Sequence, residues 1–141
     1  MILWRLTDRR YADLSGEGAR RHGGRWNSPG CAVVYLAEHP ALAVLEVLVH
    51  LDLPYDLIPD SYVMMRVDAP DDHYPTADAA PDARAYGDEW LAAGASPLLR
   101  VASVIAPHSF NWLLNPEHTG AARVAVTEAP PFQFDERLFA T

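Results

Sequence analysis

The sequence predicts a single α+β domain, and three observations predict it. At 141 residues the chain is long enough for one compact unit and too short for two. The predicted elements run β, loop, β, α, β, α, β, β, which lacks the regular alternation of βαβ units. A composition that is 50% hydrophobic, with one cysteine, supplies a core without a disulfide framework.

Taken in order, Ile2 to Leu6 reads as an opening strand. The stretch from there to Gly30 holds five glycines and little apolar periodicity, so it reads as an irregular loop. A loop of that length inside a compact domain is usually functional. Cys31 to Leu36 is a β-branched, apolar run expected to be a buried strand, and Pro40 sits where a first helical residue tolerates proline. That helix is expected to run to about Leu51. Tyr62 to Val67 is a further strand, Asp82 caps a helix that continues through Ala93, and Gly94 supplies its left-handed terminator. Leu98 to Ile105 and Arg123 to Thr127 complete the strands, with a loop expected around Asn111 to Gly120. The Pro- and Asp-rich region from Asp68 to Asp82 is read as a surface loop.

Charge narrows the function classes. The net charge is −8, yet residues 1–30 carry six arginines against Asp8, Asp13 and Glu17, a local +3, while residues 51–100 carry a local −7. Such a surface repels a nucleic-acid backbone over most of its area and leaves room for a local phosphate site near the N-terminus. Lysine is absent, so every fixed positive charge is a guanidinium, able to grip phosphate as a bidentate fork. The lone Cys31 fits a reducing compartment. Arg5 interrupts the first apolar run before a signal-peptide core of roughly 7 to 15 residues can form. The longest later run, Ala41 to Val49, is broken by Glu46 and falls short of the roughly 20 residues needed to cross a bilayer. The expectation is a soluble cytoplasmic protein with no membrane partner.

Two stretches could carry chemistry. In Gly23-Gly24-Arg25-Trp26-Asn27-Ser28-Pro29-Gly30 the glycines permit close approach of a ligand, and Arg25 beside Asn27 and Ser28 suits a pyrophosphate. The same segment also reads as a tight turn with a solvated arginine and Trp26 as a core anchor. It matches neither a Walker loop nor a Rossmann fingerprint. In the helix from His39 to Leu51, helical spacing puts His39, Ala43, Glu46 and His50 on one stripe. Either Glu46 and His50 are a solvent-facing pair, or the stripe faces a cleft shared with the glycine segment and Tyr35. His22, His39, His73, His108 and His118 form no recognisable metal cluster with carboxylates.

The run from Gly16 to Asn27, then Val34-Tyr35-Leu36-Ala37-Glu38, Ala43-Val44-Leu45-Glu46-Val47, Val101-Ala102-Ser103 and Leu114-Asn115-Pro116-Glu117-His118, resembles the RES-domain toxins. The family's arginine, glutamate and serine map onto Arg25, Glu46 and Ser103. Ala102 departs from the proline that members commonly carry before the serine, and Ser109 is the competing position.

The resemblance implies an ADP-ribosyltransferase-like fold: one domain over residues 1–141 with a mixed, mostly antiparallel, split β-sheet and flanking helices. It also implies a bacterial toxin of a toxin–antitoxin pair that consumes NAD as a substrate and needs no separate cofactor or metal. Its partner would be an Xre-type helix-turn-helix antitoxin that occludes the cleft, with DNA reached only through that antitoxin. On this reading Arg25, with Arg5 as a second candidate, holds the NAD phosphates. Tyr35 packs on nicotinamide and Glu46 contacts the ribose. His50 and Ser103 orient Glu46 or the acceptor, while Gly24, Trp26, Asn27, Ser28 and Asn115 line the substrate. Cleavage of the nicotinamide–ribose bond depletes NAD, with transfer of ADP-ribose to a protein as the alternative outcome. A toxin ribonuclease and a non-catalytic module that docks a basic partner are the readings from other classes. The acidic charge balance weighs against the first, and nucleotide-dependent thermal stabilisation separates the second.

Overall fold

The computed structural model describes residues 1–78 and 81–139. Seven strands, β1 (Ile2–Asp8), β2 (Val34–Ala37), β3 (Tyr62–Asp68), β4 (Thr76–Ala77), β5 (Leu98–Ala102), β6 (Phe110–Leu114) and β7 (Ala125–Glu128), form one sheet in the order β4-β5-β6-β2-β1-β3-β7. Three helices, α1 (Glu17–His22), α2 (Pro40–Leu48) and α3 (Ala83–Ala93), join them. Among the described residues only β4 and β5 pair in parallel, so the sheet is mixed and mostly antiparallel, as expected. The expected split is visible in the register. β1 pairs with β3 from Ile2↔Asp68 to Asp8↔Tyr62, whereas β1 and β2 meet only at Trp4↔Ala37 and then part.

Period-two alternation assigns the faces. Leu3, Val34, Leu36, Val63, Met65, Val67, Leu98 and Leu114 form the core of one face, with Trp112 of β6 packed against them and loops that bring Val124 and Tyr74 closing it. The opposite face carries two smaller cores. Over one half of the sheet, Leu99, Val101 and Leu113 pack against Trp26 and against Ala83 and Trp90 of α3. Over the other, Leu6 and Ala37 pack against Leu42 and Ala43 of α2 and against Phe134. The gap between these two clusters lies over the split.

Several boundaries differ from expectation for identifiable reasons. Within the expected loop up to Gly30, Glu17–His22 is helical: Gly16 and Gly18 hide it from propensity, and Glu17 offsets them by pairing with Arg20 and Arg21. The expected loop from Asn111 opens on β6, whose residues other than Asn111 are apolar on both sides because both faces of the sheet are covered there. β4 lies inside the expected Pro- and Asp-rich loop. The strand expected to reach Ile105 ends at Ala102, because the Ser103 hydroxyl captures the amides of Ile105 and Ala106 and turns the chain. α2 stops at Leu48 rather than Leu51, so His50 lies beyond the helix. α3 has the expected ends, with the Asp82 carboxylate accepting from Ala85 N and Gly94 left-handed at φ +60°. Among the described residues, no helix is long and apolar enough to cross a membrane.

Candidate active site

A cleft of about 1090 Å³ occupies the gap over the split. Arg5 and Leu36 from one face of the sheet and Trp4, Leu6, Tyr35 and Ala37 from the other all line it, so it reaches between β1 and β2. Arg25 and Glu46, from distant parts of the chain, share this cleft, as do Gly24, Trp26 and His50.

One wall is the turn after α1. Gly23, at φ +71°, ends the helix in a conformation that side chains strain to adopt. Gly24 N then donates to Asn27 O at 3.0 Å, which closes the turn with Arg25 and Trp26 at its tip. A Cβ on Gly24 would stand 2.6 Å from the Tyr35 hydroxyl, so this close approach requires glycine. The hydroxyl donates to Asn27 Oδ1 at 2.6 Å and accepts from Trp26 N at 3.0 Å. Burial pushes the Tyr35 phenol up to about 12, against the bond from Trp26 N that favours its ionisation. Tyr35 therefore offers the cleft its ring, while its hydroxyl belongs to the turn.

The other wall presents Glu46. Its Oε1 accepts from Asn111 Nδ2 at 2.7 Å and from Ser103 Oγ at 3.1 Å. Ser103 Oγ also accepts from Ile105 N and Ala106 N, so the serine is committed on every side and acts as a fixed support for the carboxylate. Among the described residues no donor reaches Oε2, so the carboxylate is held by one oxygen alone. Of the two serines considered, Ser103 supports Glu46, while Ser109 serves through its backbone, accepting from Ser103 N.

Three expected substrate contacts lie elsewhere. Asn27 is fully buried, and its Nδ2 donates to Ala19 O and Cys31 O, so it binds the turn together. Ser28 donates through both its amide and hydroxyl to Asp88 of α3. Burial would raise the Asp88 carboxyl, but these two bonds, with the Cys31 thiol and the charge of Arg84, together hold the group low. Asn115 is buried against α3, donating to Leu91 O and accepting from Glu117 N. Trp26 touches the cleft yet is 3% exposed, a core anchor beside Trp90. His39 does not join the stripe either: its Nδ1 caps α2 by accepting from Ala41 N.

Two further residues line the cleft. Arg84 has no signal in the sequence, because a single arginine on a helix carries no pattern. Its Nε and Nη2 donate to Gly24 O at 3.3 and 3.2 Å. Asn111 falls in the stretch that the sequence reads as a loop. The signal available was strand composition, since in Phe110-Asn111-Trp112-Leu113-Leu114 the alternation sets Asn111 on the same face as Leu113.

Residues 2–135 match the family model of the RES domain. The chain is 39% identical over 150 residues to Toxin Res of Pseudomonas putida, an alignment covering 99% of this chain and 100% of that protein. It is 35% identical over 154 residues to the Prs ADP-ribosylating toxin of Sphingobium sp., covering 96% and 94% respectively. Among solved structures, the crystal structure of the M. tuberculosis MbcT-MbcA toxin-antitoxin complex contains a similar chain, with a TM-score of 0.75 and 19% identity over 94% of this chain and 84% of that one. At that identity the likeness concerns the fold. With nearly its whole length matched both by the family model and by these relatives, the chain belongs to the RES-domain family.

Proposed function

We propose that this protein is the toxin of a toxin–antitoxin pair and that it cleaves the nicotinamide–ribose bond of NAD in the cytoplasm. The observation that carries the reading is the convergence of Arg25 and a one-sidedly held Glu46 on one cleft. The cleft, at about 1090 Å³, slightly exceeds the roughly 300–1,000 Å³ range for ligand pockets, which suits a dinucleotide. As the C–N bond breaks, its electron pair leaves with nicotinamide, which departs neutral, and positive charge develops on the ribose. Glu46 Oε2 faces that charge, and a fixed carboxylate stabilises it more in the transition state than in the ground state. The pyridinium leaving group needs no general acid, so one carboxylate suffices where glycosidases use two. The Tyr35 ring packs against nicotinamide, the glycine turn receives the diphosphate, and His50 borders the acceptor side.

Water or inorganic phosphate as the acceptor makes the enzyme an NAD glycohydrolase or phosphorylase. A protein side chain as acceptor makes it a mono-ADP-ribosyltransferase, a second reading favoured by the relative named as a Prs ADP-ribosylating toxin. The likeness to a chain from a toxin–antitoxin complex supports a cognate antitoxin. Exposed Val49 and Val104 on the cleft's lip are suited to its docking. An Xre-type antitoxin that fills the cleft would also be the protein's only route to DNA.

Glu46→Gln tests the mechanism: it keeps shape and removes charge, so nicotinamide release should be lost while the unfolding midpoint is unchanged. Wild-type turnover by that variant removes Glu46 from the reaction. Running the wild type with and without inorganic phosphate, then with lysate and labelled NAD, separates the three acceptors by product.

A further inference from the structure

Three guanidinium groups line the cleft, and the chain holds each differently. Arg5 directs Nη1 at two carbonyls, Tyr11 O and Asp13 O, both at 3.0 Å. Burial lowers its pKa, with Asp13 acting in the opposite sense. It is a strut for the segment between β1 and α1. Arg25 is exposed at the tip of the glycine turn and has no protein partner among the described residues. Arg84 is exposed on the first turn of α3 and reaches across to the same turn, 60 residues away in sequence, where two of its donors share the single oxygen of Gly24.

That geometry leaves a group poised for more. A guanidinium has five N–H donors, so three of Arg84's remain, together with a whole charge. No carboxylate among the described residues forms an ion pair with it. Asp82 uses its carboxylate to cap α3, and Asp88 takes both bonds from Ser28. The bonds to Gly24 already restrict a long side chain that would otherwise lose rotamer freedom on meeting a ligand. Gly24 also joins directly to Arg25, so the two guanidinium groups flank one peptide unit.

We infer that Arg84 and Arg25 form a two-guanidinium clamp for the diphosphate of the dinucleotide, astride the turn at Gly24. This deepens the NAD reading and rests on it. Arg84 is a substrate-binding residue, and Arg5 belongs to the support of the cleft. Two arginines on adjacent supports match two adjacent phosphates, whereas one arginine would leave a negative charge facing the acidic remainder of the surface.

The test uses ADP, which carries the diphosphate and has no nicotinamide to lose, with affinity measured by calorimetry for wild type, Arg84→Gln and Arg84→Lys. Gln retains a neutral donor for Gly24 O, and Lys retains the charge. ADP affinity should fall about tenfold or more in Arg84→Gln, and less in Arg84→Lys. The salt dependence of binding should be shallower in Arg84→Gln than in wild type. With NAD, the Gln variant should show its loss in KM, with kcat within about twofold. Unchanged ADP affinity in Arg84→Gln overturns the clamp. So does equal loss in both variants accompanied by a lowered unfolding midpoint, because Arg84 would then only staple the turn. A wild type that releases nicotinamide but binds no ADP overturns the clamp and leaves the cleavage reading standing. A wild type that does neither overturns both.

Discussion

The two walls of the cleft are built on opposite plans. The glycine-turn wall is assembled within a short stretch, from Gly23 to Tyr35, and then closed from outside by α3 through Arg84 and Asp88. Its buried amide, Asn27, and the hydroxyl of Tyr35 satisfy each other and the backbone. The carboxylate wall draws on three distant elements: Glu46 from α2, Ser103 from the end of β5 and Asn111 from β6. Its carboxylate keeps an oxygen in reserve. A site needs both kinds of wall, one that fixes shape through satisfied buried groups and one that leaves a reactive group partly unsatisfied. Damage to the first should therefore register in stability, and damage to the second in turnover.

The largest stability effect is expected on the turn wall. Gly87, in the middle of α3, lies so close to the turn that a Cβ there would stand 1.7 Å from Trp26 O. That neighbour is backbone, so Gly87→Ala must push α3 off the turn and should cost about 3 kcal/mol, read from chemical denaturation. A midpoint equal to wild type would show that α3 can slide and that the turn wall is softer than its hydrogen bonds imply. The contrasting substitution is Asn111→Leu. It removes one of the two donors holding Glu46 Oε1, so the carboxylate can swing about Ser103, and a misplacement of this kind costs about 10²-fold in kcat. The unfolding midpoint should hardly move, because Glu46 remains supported and borders the cleft. If Asn111→Leu instead lowers stability and spares turnover, the division between the walls fails.

The same contrast explains what could be read from the residues alone. The turn wall was accessible because its chemistry is local: Gly23, Gly24 and Arg25 are neighbours, and Arg25 and Tyr35 do line the cleft. Even so, Asn27 and Ser28 read as ligand contacts in the sequence, since a polar side chain in a glycine-rich segment looks the same whether it turns outward or inward. On the carboxylate wall, helical spacing raised the choice between solvent and cleft for Glu46 without resolving it, and only the sheet decides that choice. The family resemblance indicated Ser103, and no local pattern joined it to Asn111, because that pairing depends on β5 and β6 being adjacent. β1, β2, β3, β5, β7 and the two longer helices are readable from alternation and caps such as Asp82 and Gly94. α1 and β4 are not, since each is short and is held by pairing rather than by propensity, and β6 is not, since Asn111 opens a stretch that reads as a loop through Asn115-Pro116 to Gly120.

A smaller effect probes the link between the walls, because Tyr35 presents its ring to the cleft and its hydroxyl to the turn. Tyr35→Phe leaves Asn27 Oδ1 and Trp26 N without their partner and should cost about 1–2 kcal/mol at neutral pH, with little change in kcat. Its pH dependence has a definite sign. In the folded protein the phenol is held up to about 12 by burial, whereas an unfolded tyrosine ionises near 10. Below pH 10 both states keep the proton, so the contribution of Tyr35 is constant. Between about 10 and 12 the unfolded chain releases its proton and the folded chain does not, so stability falls as pH rises, by up to about 1.4 kcal/mol per unit. Tyr62 and Tyr74, also raised by burial, contribute equally to wild type and variant. The stability gap between Tyr35→Phe and wild type should therefore be constant below pH 10 and shrink above it. Parallel curves through pH 11 would mean that the hydroxyl is solvated and not shared between Asn27 and Trp26, and the turn wall would lose its claim to be closed.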